Sequence, residues 1–356
     1  MMISTPNWFA AVMGTGIVAT ATVTLPWRPP GLHTAATAVW ALAAALLVAL
    51  SVAALRHPRE FFANRDDPVM AHFFGAPPMA MMTVGAGALL LGRDVLGDTV
   101  ALAIAATLWT AGTLTGLASA VAVPYLQFTR HTVGDASAFG GWLIPVVPPM
   151  VSAATGALLV PYAPPGQARL TLLLACWAMF GISLVASLIL IGAIWQRLAR
   201  HKVGAAAAVP TLWIVLGPLG QSITAANALG DATGQVLPAP YAPVAAAFGV
   251  LYGVPLWGFA LLWAGLAISV TVRAARDHLP FSLTWWSFTF PVGTCVTATS
   301  ALAAHTGATV LAVLAVLFHL GLVAAWVTVA GRTVHMTRST AKVRRTKTSR
   351  TLTTAL

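Results

Sequence analysis

The side chains of this chain that could do chemistry are uncharged hydroxyls and amides inside long apolar segments. They recur in every second segment and comprise Thr15, Thr83, Ser152, Thr155, Gln221, Ser222, Thr224, Asn227, Thr289, Thr294 and Thr297. Hydroxyl and amide groups donate hydrogen bonds without carrying a fixed charge. A pore with this lining would attract an anion moderately and release it readily, as conduction requires. Cation channels typically carry rings of carboxylates instead.

Helix breakers accompany these polar side chains. The first apolar segment contains Gly14-Thr15-Gly16, and later odd-numbered segments contain Pro77, Pro78, Pro145, Pro148, Pro149, Pro218 and Pro291. Proline kinks a helix, and in lipid the freed carbonyls must face protein or water. A kink also exposes a helix N-terminus whose dipole favours an anion. We therefore expect the odd segments to line a cavity and the even segments to face lipid. The alternative is that these breakers are simply common in membrane helices.

The acidic and histidine residues form no catalytic or metal-binding constellation. All eight Asp and Glu residues lie between apolar segments or at their ends, and Asp66-Asp67 is the one adjacent pair. A membrane enzyme that binds a magnesium diphosphate would need two such motifs, so we interpret this pair as a solvated loop. His305 and His319 have no partner at metal-ligand spacing. His319 is expected to form a hydrogen bond between helices, with proton sensing as the alternative. The sequence predicts no enzyme, no catalytic residue, no cofactor and no metal.

Composition determines which elements must position these residues. The chain of 356 residues is 58% hydrophobic and 8% charged, whereas soluble domains are about one quarter charged. A membrane helix needs about 20 apolar residues. The pattern therefore predicts an all-α integral membrane fold with ten spans, at residues 7–26, 34–55, 74–92, 99–123, 141–160, 169–194, 210–229, 242–270, 284–304 and 308–331.

The positive charges predict the orientation. If the connections alternate sides, 16 of the 19 Lys and Arg residues fall on one side, and only Arg28, Arg93 and Arg169 fall on the other. Short cytoplasmic loops are rich in Lys and Arg. We therefore predict a multi-pass protein of the plasma (inner) membrane with both termini in the cytoplasm. The net charge of +11 is attributed to topology and anionic lipid headgroups, not to nucleic acid.

The chain divides into two predicted parts. Residues 1–332 form the ten-helix transmembrane domain, and residues 333–356, which are basic and rich in threonine, form a disordered cytoplasmic tail. The N-terminus lacks a basic region before the first apolar segment, so we expect a retained first span and no cleaved signal peptide.

Four segments in order carry a family resemblance. They are residues 8–17 (WFAAVMGTGI), 141–149 (GWLIPVVPP), 217–222 (GPLGQS) and 285–291 (WWSFTFP). Together they resemble the tellurite-resistance/dicarboxylate transporter family, which includes TehA-like bacterial channels, plant slow-type anion channels, malate permeases and sulfite efflux pumps. The resemblance covers residues 7 to 331 of the chain.

The resemblance implies an architecture and a gate. Family members have five helical hairpins around a central pore, with odd helices inside and even helices outside, and they assemble as homotrimers. In channel members an aromatic side chain on the ninth helix occludes the pore, and Phe290 matches it best here. Phe288 lies about 200° away around a helix, so both rings cannot face the axis. The other candidate pore-lining residues are Gly14, Thr15, Gly16, Pro78, Pro148, Pro218, Gln221, Thr289 and Thr294.

The predicted function is an anion channel or facilitative transporter. Its substrate would be a small anion: a C4-dicarboxylate, sulfite or an inorganic anion. Paired carboxylates usually recruit arginine forks, so a pore without Lys or Arg favours a permissive channel. The alternative is a proton-linked secondary transporter or exporter of C4-dicarboxylate or sulfite on the same fold. That alternative stays open because a substrate that crosses in its protonated form needs no coupling residue.

Overall fold

The structure is a computed structural model that describes residues 5–353 of the chain and the side chains of residues 5–339. The described residues form α-helices, short 3-10 helices and turns, and no β-strand occurs among them. This confirms the all-α fold predicted from composition.

Ten α-helices within residues 5–353 have ten residues or more, and each overlaps one predicted span. In chain order they are α1 (Phe9–Thr24), α2 (Leu32–Arg56), α3 (Ala76–Leu90), α4 (Asp98–Thr129), α5 (Pro148–Ala157), α6 (Gln167–His201), α7 (Leu216–Gly234), α8 (Tyr241–Arg276), α9 (Phe290–Thr306) and α10 (Thr309–Thr353). Two shorter α-helices, Pro58–Ala63 and Arg93–Leu96, lie in connections.

Seven helical stretches within the described residues are long and apolar enough to cross a membrane. They are the five even-numbered helices, α10 being counted as far as Ser339, and the stretches Met70–Leu90 and Ala206–Gly234, which contain α3 and α7. Helices α1, α5 and α9 have 16, 10 and 17 residues, fewer than the roughly 20 of a typical span. The chain is a multi-pass membrane protein.

Proline explains the starts of three of the short odd-numbered helices, α3, α5 and α9. The odd-numbered helices have 10 to 19 residues, against 25 to 45 in the even-numbered helices. A proline occupies the first turn of α3, α5 and α9, where its missing N–H costs nothing. The expected mid-helix kinks are therefore helix starts in the structure. Interior prolines occur instead in even-numbered helices, as Pro124 of α4 and Pro255 of α8.

Helix contacts separate an inner and an outer set. The odd-numbered helices contact one another in a closed ring, from α1 through α3, α5, α7 and α9 back to α1. Each also packs against the even-numbered helix that follows it in the chain. In the most apolar 18 residues of the stretches Met70–Leu90 and Ala206–Gly234, 72% and 78% of the residues are buried. In the corresponding parts of the even-numbered helices, only 17% to 33% are buried. The even helices therefore present most of their apolar side chains to the surroundings.

The last helix passes the predicted start of the tail. The sequence predicts disorder over residues 333–356, whereas α10 continues as a helix to Thr353. Residues 332–353 contain neither glycine nor proline, so nothing stops a helix that begins in the apolar segment. Residues 354–356 lie outside the described part of the chain. The division into two domains stays a prediction.

Candidate functional site

Two cavities lie between the odd-numbered helices, and we name them by the predicted orientation. The outer cavity, at the C-terminal ends of these helices, has a volume of about 310 Å³ and is lined by residues of α1, α3, α5, α7 and α9. The inner cavity, at their N-terminal ends, has a volume of about 40 Å³. Phe290 lines both cavities. The ring of five helices thus encloses two cavities that share Phe290 in their walls, and we call the line through both cavities the central path.

The wall of the outer cavity combines apolar side chains with uncharged polar ones. The polar uncharged members are Thr20, Thr24, Thr83, Thr155, Gln221, Thr224, Asn227, Thr297 and Ser300. Thr224 and Thr297 are joined by a hydrogen bond of 2.8 Å between their hydroxyls, which links α7 to α9. The buried hydroxyl of Ser300 has no hydrogen-bond partner among the described residues. This wall can offer hydrogen bonds to a guest without binding it through a fixed cation.

One charged pair stands at the outer end of this cavity. His305, near the end of α9, places its Nε2 2.9 Å from Oδ1 of Asp231 on α7. Both residues line the cavity. The Asp231 side chain is 59% exposed and the His305 side chain is 24% exposed. The pair therefore lies at the mouth, where water meets the cavity.

The inner cavity has a different chemistry. Most of its wall is apolar and consists of Ala10, Met13, Phe73, Ala76, Met79, Ile144, Val147, Ile214, Leu283 and Trp286. The first turns of α1, α3, α7 and α9, and the residue that precedes α5, all contribute to this wall. The N-terminus of a helix carries a partial positive charge of about half an elementary charge. The starts of the five odd-numbered helices therefore lie around the inner cavity and Phe290, although α3 and α7 continue directly from the 3-10 segments Met70–Gly75 and Ala206–Val215, which accept hydrogen bonds from part of their first backbone N–H groups.

The two neighbouring phenylalanines point in different directions. Phe290, the first residue of α9, is only 3% exposed and lies between the cavities. Phe288 packs with its ring centroid 5.4 Å from that of Trp213 and 5.7 Å from that of Trp285. It lines a separate apolar groove between α8, α9 and α10. The structure thus places Phe290 at the position predicted for it, and its role as a gate stays a prediction.

Two more of the predicted pore-lining residues reach the central path. Gln221 of α7 lines the outer cavity and Pro218, one turn earlier, lines the inner cavity. Both residues reach a cavity because α7 is one of the five helices that form the ring. Gln221 is therefore the amide side chain of the predicted set that faces a cavity.

The glycines of the first segment serve helix contacts. A Cβ on Gly14 would collide with Oγ1 of Thr289 and with the ring of Trp286, and a Cβ on Gly16 would lie 2.7 Å from Cγ2 of Thr83. Small residues allow membrane helices to approach this closely. The hydroxyl of Thr289 is itself buried and donates to the backbone carbonyl of Trp286. The structure places these predicted residues in packing contacts of α1 with α3 and with the start of α9.

Thr15 belongs to the contact between α1 and α10. Its hydroxyl accepts a hydrogen bond of 3.1 Å from the indole Nε1 of Trp326. Two helical turns further along, Oγ1 of Thr22 lies 3.5 Å from Nε2 of His319. The hydrogen bond between helices that the sequence predicts for His319 is confirmed.

The remaining predicted residues also lie between helices. Pro78 and Pro148 lie against Gly116 of α4, where a Cβ would come within 3.5 Å and 2.7 Å of their Cβ atoms. The hydroxyl of Thr294 donates to the backbone carbonyl of Leu216 at 3.2 Å, joining α9 to α7. These side chains hold the ring of helices together, and the cavity walls are formed by their neighbours.

The sequence interpretation missed the pair at the mouth. It placed Asp231 and His305 at the ends of apolar segments and assigned them no partner. A signal was present, because both residues end odd-numbered segments on the same predicted side of the membrane. If the odd helices form a ring, side chains at equal depth on neighbouring helices can meet. A comparison of residue depth along the odd-numbered helices would have paired Asp231 with His305, although they are 74 residues apart.

The fold and the cavities define a class: a multi-pass membrane protein in which a ring of five helices encloses two cavities. Comparison with known proteins identifies the family within that class. The family described as SLAC1, voltage-dependent anion channel, matches residues 4–334. The chain belongs to this family, which confirms the resemblance to the tellurite-resistance/dicarboxylate transporters.

Named relatives cover most of the chain. The sulfite efflux pump SSU1 of Arthroderma otae is 30% identical over 93% of this chain and 90% of its own length. The sulfite efflux pump SSU1 of Trichophyton rubrum is 29% identical over the same shares. The uncharacterized transporter MJ0576 of Methanocaldococcus jannaschii is 27% identical over 82% of this chain and 81% of its own length. These names describe transporters and not enzymes.

Proposed function

We propose that this protein is an anion channel or facilitative transporter for small anions. The observation that carries the proposal is the central path, in which five helix N-termini and uncharged polar side chains surround two cavities with Phe290 between them. Partial positive charges attract an anion, and the lack of Lys and Arg on the described wall lets the anion leave again.

The proposal includes an arrangement in the membrane. Ten helices cross the plasma membrane as five hairpins, with α1, α3, α5, α7 and α9 inside and the even-numbered helices outside. The closed ring of contacts among the odd-numbered helices supports this arrangement, as does the low burial of the even-numbered ones. The short α1, α5 and α9 cross together with the irregular segments before them, whose free backbone groups face protein or the cavity. The Lys and Arg distribution puts both termini in the cytoplasm.

Phe290 is the proposed gate. A phenyl ring at the narrow point leaves no room for an ion and offers it no hydrogen bond, so the barrier is both steric and dielectric. Movement of the ring opens the path between the cavities. Because Phe290 begins α9, a small change in the preceding 3-10 segment Leu283–Phe288 would suffice to move it.

Sulfite is the proposed substrate with the most support, through the relatives named as sulfite efflux pumps. C4-dicarboxylates and inorganic anions remain within the proposed class, because hydroxyl and amide donors do not distinguish strongly among small oxyanions. The second candidate is a proton-linked transporter on the same fold. The protonatable pair at the mouth, Asp231 and His305, is the observation that favours it.

A homotrimer in the lipid bilayer is part of the proposal and rests on the family resemblance. Each protomer would keep its own central path, since the ring of helices closes within one chain. Native mass spectrometry of the purified protein in detergent tests this assembly: a trimeric mass is expected, and a monomer active in liposomes would contradict it.

Flux measurements in proteoliposomes test the function. Purified protein is reconstituted, and uptake of chloride, nitrate, sulfite and malate is followed under an electrical gradient alone and under a pH gradient alone. Flux driven by the electrical gradient, without a partner ion, is expected. Movement of sulfite or malate only under the pH gradient would contradict the channel and support the proton-linked carrier.

A further inference from the structure

The contacts of His305 determine its charge state. Its Nδ1 lies 2.8 Å from the backbone carbonyl oxygen of Ala301, and its Nε2 lies 2.9 Å from Oδ1 of Asp231. A carbonyl oxygen and a carboxylate oxygen only accept hydrogen bonds, so both ring nitrogens must donate. A neutral imidazole has one N–H, whereas the imidazolium has two. The geometry therefore fits an imidazolium beside a carboxylate.

Asp231 and His305 are the only residues on the described wall of the outer cavity that can carry a formal charge. The other wall residues from α1, α3, α5, α7 and α9 are apolar or carry hydroxyl and amide groups. The adjacent first turn of α8 carries Tyr241, and α10 has no ionisable side chain before His319. His305 lies just beyond the predicted end of the ninth span, residue 304. Burial lowers the pKa of its imidazole, but the hydrogen bonds to Asp231 and Ala301 and the charge of Asp231 raise it by more, so the pKa lies above its ordinary value.

We propose that His305 is a specificity-determining residue that screens Asp231 at the outer mouth, so that anions pass readily only while His305 is protonated. In the protonated state the pair has no net charge. Loss of the proton leaves one uncompensated negative charge where an anion must pass. The resulting repulsion doubles for a divalent anion, so the fold-loss of divalent flux is the square of the fold-loss of monovalent flux. This inference rests on the proposed anion pathway.

Two charge states of the mouth, neutral and negative, can each be reached in two ways and give a direct test. Nitrate and sulfate uptake are compared from about pH 5.5 to 9, a range that brackets the ordinary histidine pKa of about 6.5 and over which neither anion changes its charge. Wild-type flux should fall as pH rises, and more steeply for sulfate. The flux of His305→Gln should stay, at every pH, at the low level that the wild type reaches at alkaline pH. The flux of the double variant, His305→Gln with Asp231→Asn, should stay at the high level that the wild type shows at acidic pH.

The single variant Asp231→Asn sharpens the test, because its mouth changes from positive to neutral as pH rises. Its alkaline flux should equal the acidic flux of the wild type. The matched control is His33→Gln, because His33 pairs with Asp94 at 3.7 Å outside the cavity wall; its profile should follow the wild type. A wild-type profile for His305→Gln, or a double variant as slow as His305→Gln, would overturn the proposal.

A second measurement separates this inference from the proposed function. The nine histidines are labelled and titrated by NMR in detergent, and His305 is assigned by the signal missing from His305→Gln. Its pKa should lie above about 6.5 and fall in Asp231→Asn. If no variant moves anions but the pKa behaves in this way, the pathway proposal fails and the protonated pair stands. An unchanged pKa in Asp231→Asn overturns the pair whatever the flux.

Discussion

The two cavities on the central path are built from the same five helices and differ in almost every physical property. The outer cavity is about 310 Å³ in volume, has hydroxyl and amide groups in its wall, and opens at a charged pair. The inner cavity is about 40 Å³ in volume and mostly apolar. Under the proposed function, an anion in the inner cavity would be attracted by helix N-termini and not by side chains. The boundary between them is one residue, Phe290.

This difference assigns different tasks to the two ends. Polar side chains and a titratable pair can discriminate among anions by charge and by hydrogen bonding, so selectivity belongs to the outer cavity. A narrow apolar passage controls the rate, because an ion that enters it loses water without gaining hydrogen bonds. The following variants test this division, beginning with the largest expected effect.

Replacing Phe290 by alanine should remove the boundary between the cavities. We expect nitrate and chloride flux in liposomes to rise about a hundredfold, equivalent to a barrier lower by about 2.7 kcal/mol. Phe288→Ala is the matched control, because Phe288 packs on Trp213 away from the path, and its flux should match the wild type. Unchanged flux in a well-folded Phe290→Ala protein would contradict the gate.

Replacing Gln221 by leucine should weaken the binding of an anion to the wall of the outer cavity. Gln221 is one of the two amide side chains of α7 that line this cavity, the other being Asn227, and a hydrogen bond to a charged group contributes about 1.5 kcal/mol or more. Measured in the Phe290→Ala background, anion flux should fall about tenfold. Ser222→Ala is the control, because the Ser222 hydroxyl donates to the Leu219 carbonyl of its own helix. Equal flux in both variants would show that the outer wall does not contact the anion.

A pair of isosteric changes, one just before α5 and one within it, compares the two cavities directly. Val147 lines the inner cavity, and Val151, one helical turn later, lines the outer cavity. Val147→Thr adds a hydroxyl to an apolar passage and should raise flux about threefold in the Phe290→Ala background, a barrier change of about 0.7 kcal/mol. Val151→Thr adds a hydroxyl to the outer cavity, whose wall already has several hydroxyl groups, and should change the flux little. The same response from both variants would remove the distinction between the cavities.

The sequence predicted the outline of the molecule well. Ten apolar segments appear as ten helices that overlap the predicted spans, and the family membership agrees with four short motifs. The prolines marked the correct helices, although they start α3, α5 and α9 and do not kink them. The choice of Phe290 over Phe288 rested on the resemblance, because residue spacing alone cannot decide which ring faces the axis; Phe290 lines both cavities, and its role as a gate stays a prediction.

The cavity wall was predicted less well. Thr15 and Thr20 are both threonines of α1, yet Thr15 binds Trp326 of α10 and Thr20 lines the outer cavity. The two differ by five residues, about 140° around a helix. Composition does not reveal which face of α1 points inward when both faces are packed against protein.

The sequence by itself determined the membrane class and the approximate position of the ten long helices within residues 5–353, while the side of each connection stays a prediction. These properties are local, because they depend on the length of an apolar segment, the position of a proline and the count of nearby cations. Only the tertiary structure decided which polar residues face the path and that His305 meets Asp231 across 74 residues. Those facts depend on how each helix is rotated and how deeply it sits against its neighbours, which packing of the whole ring determines.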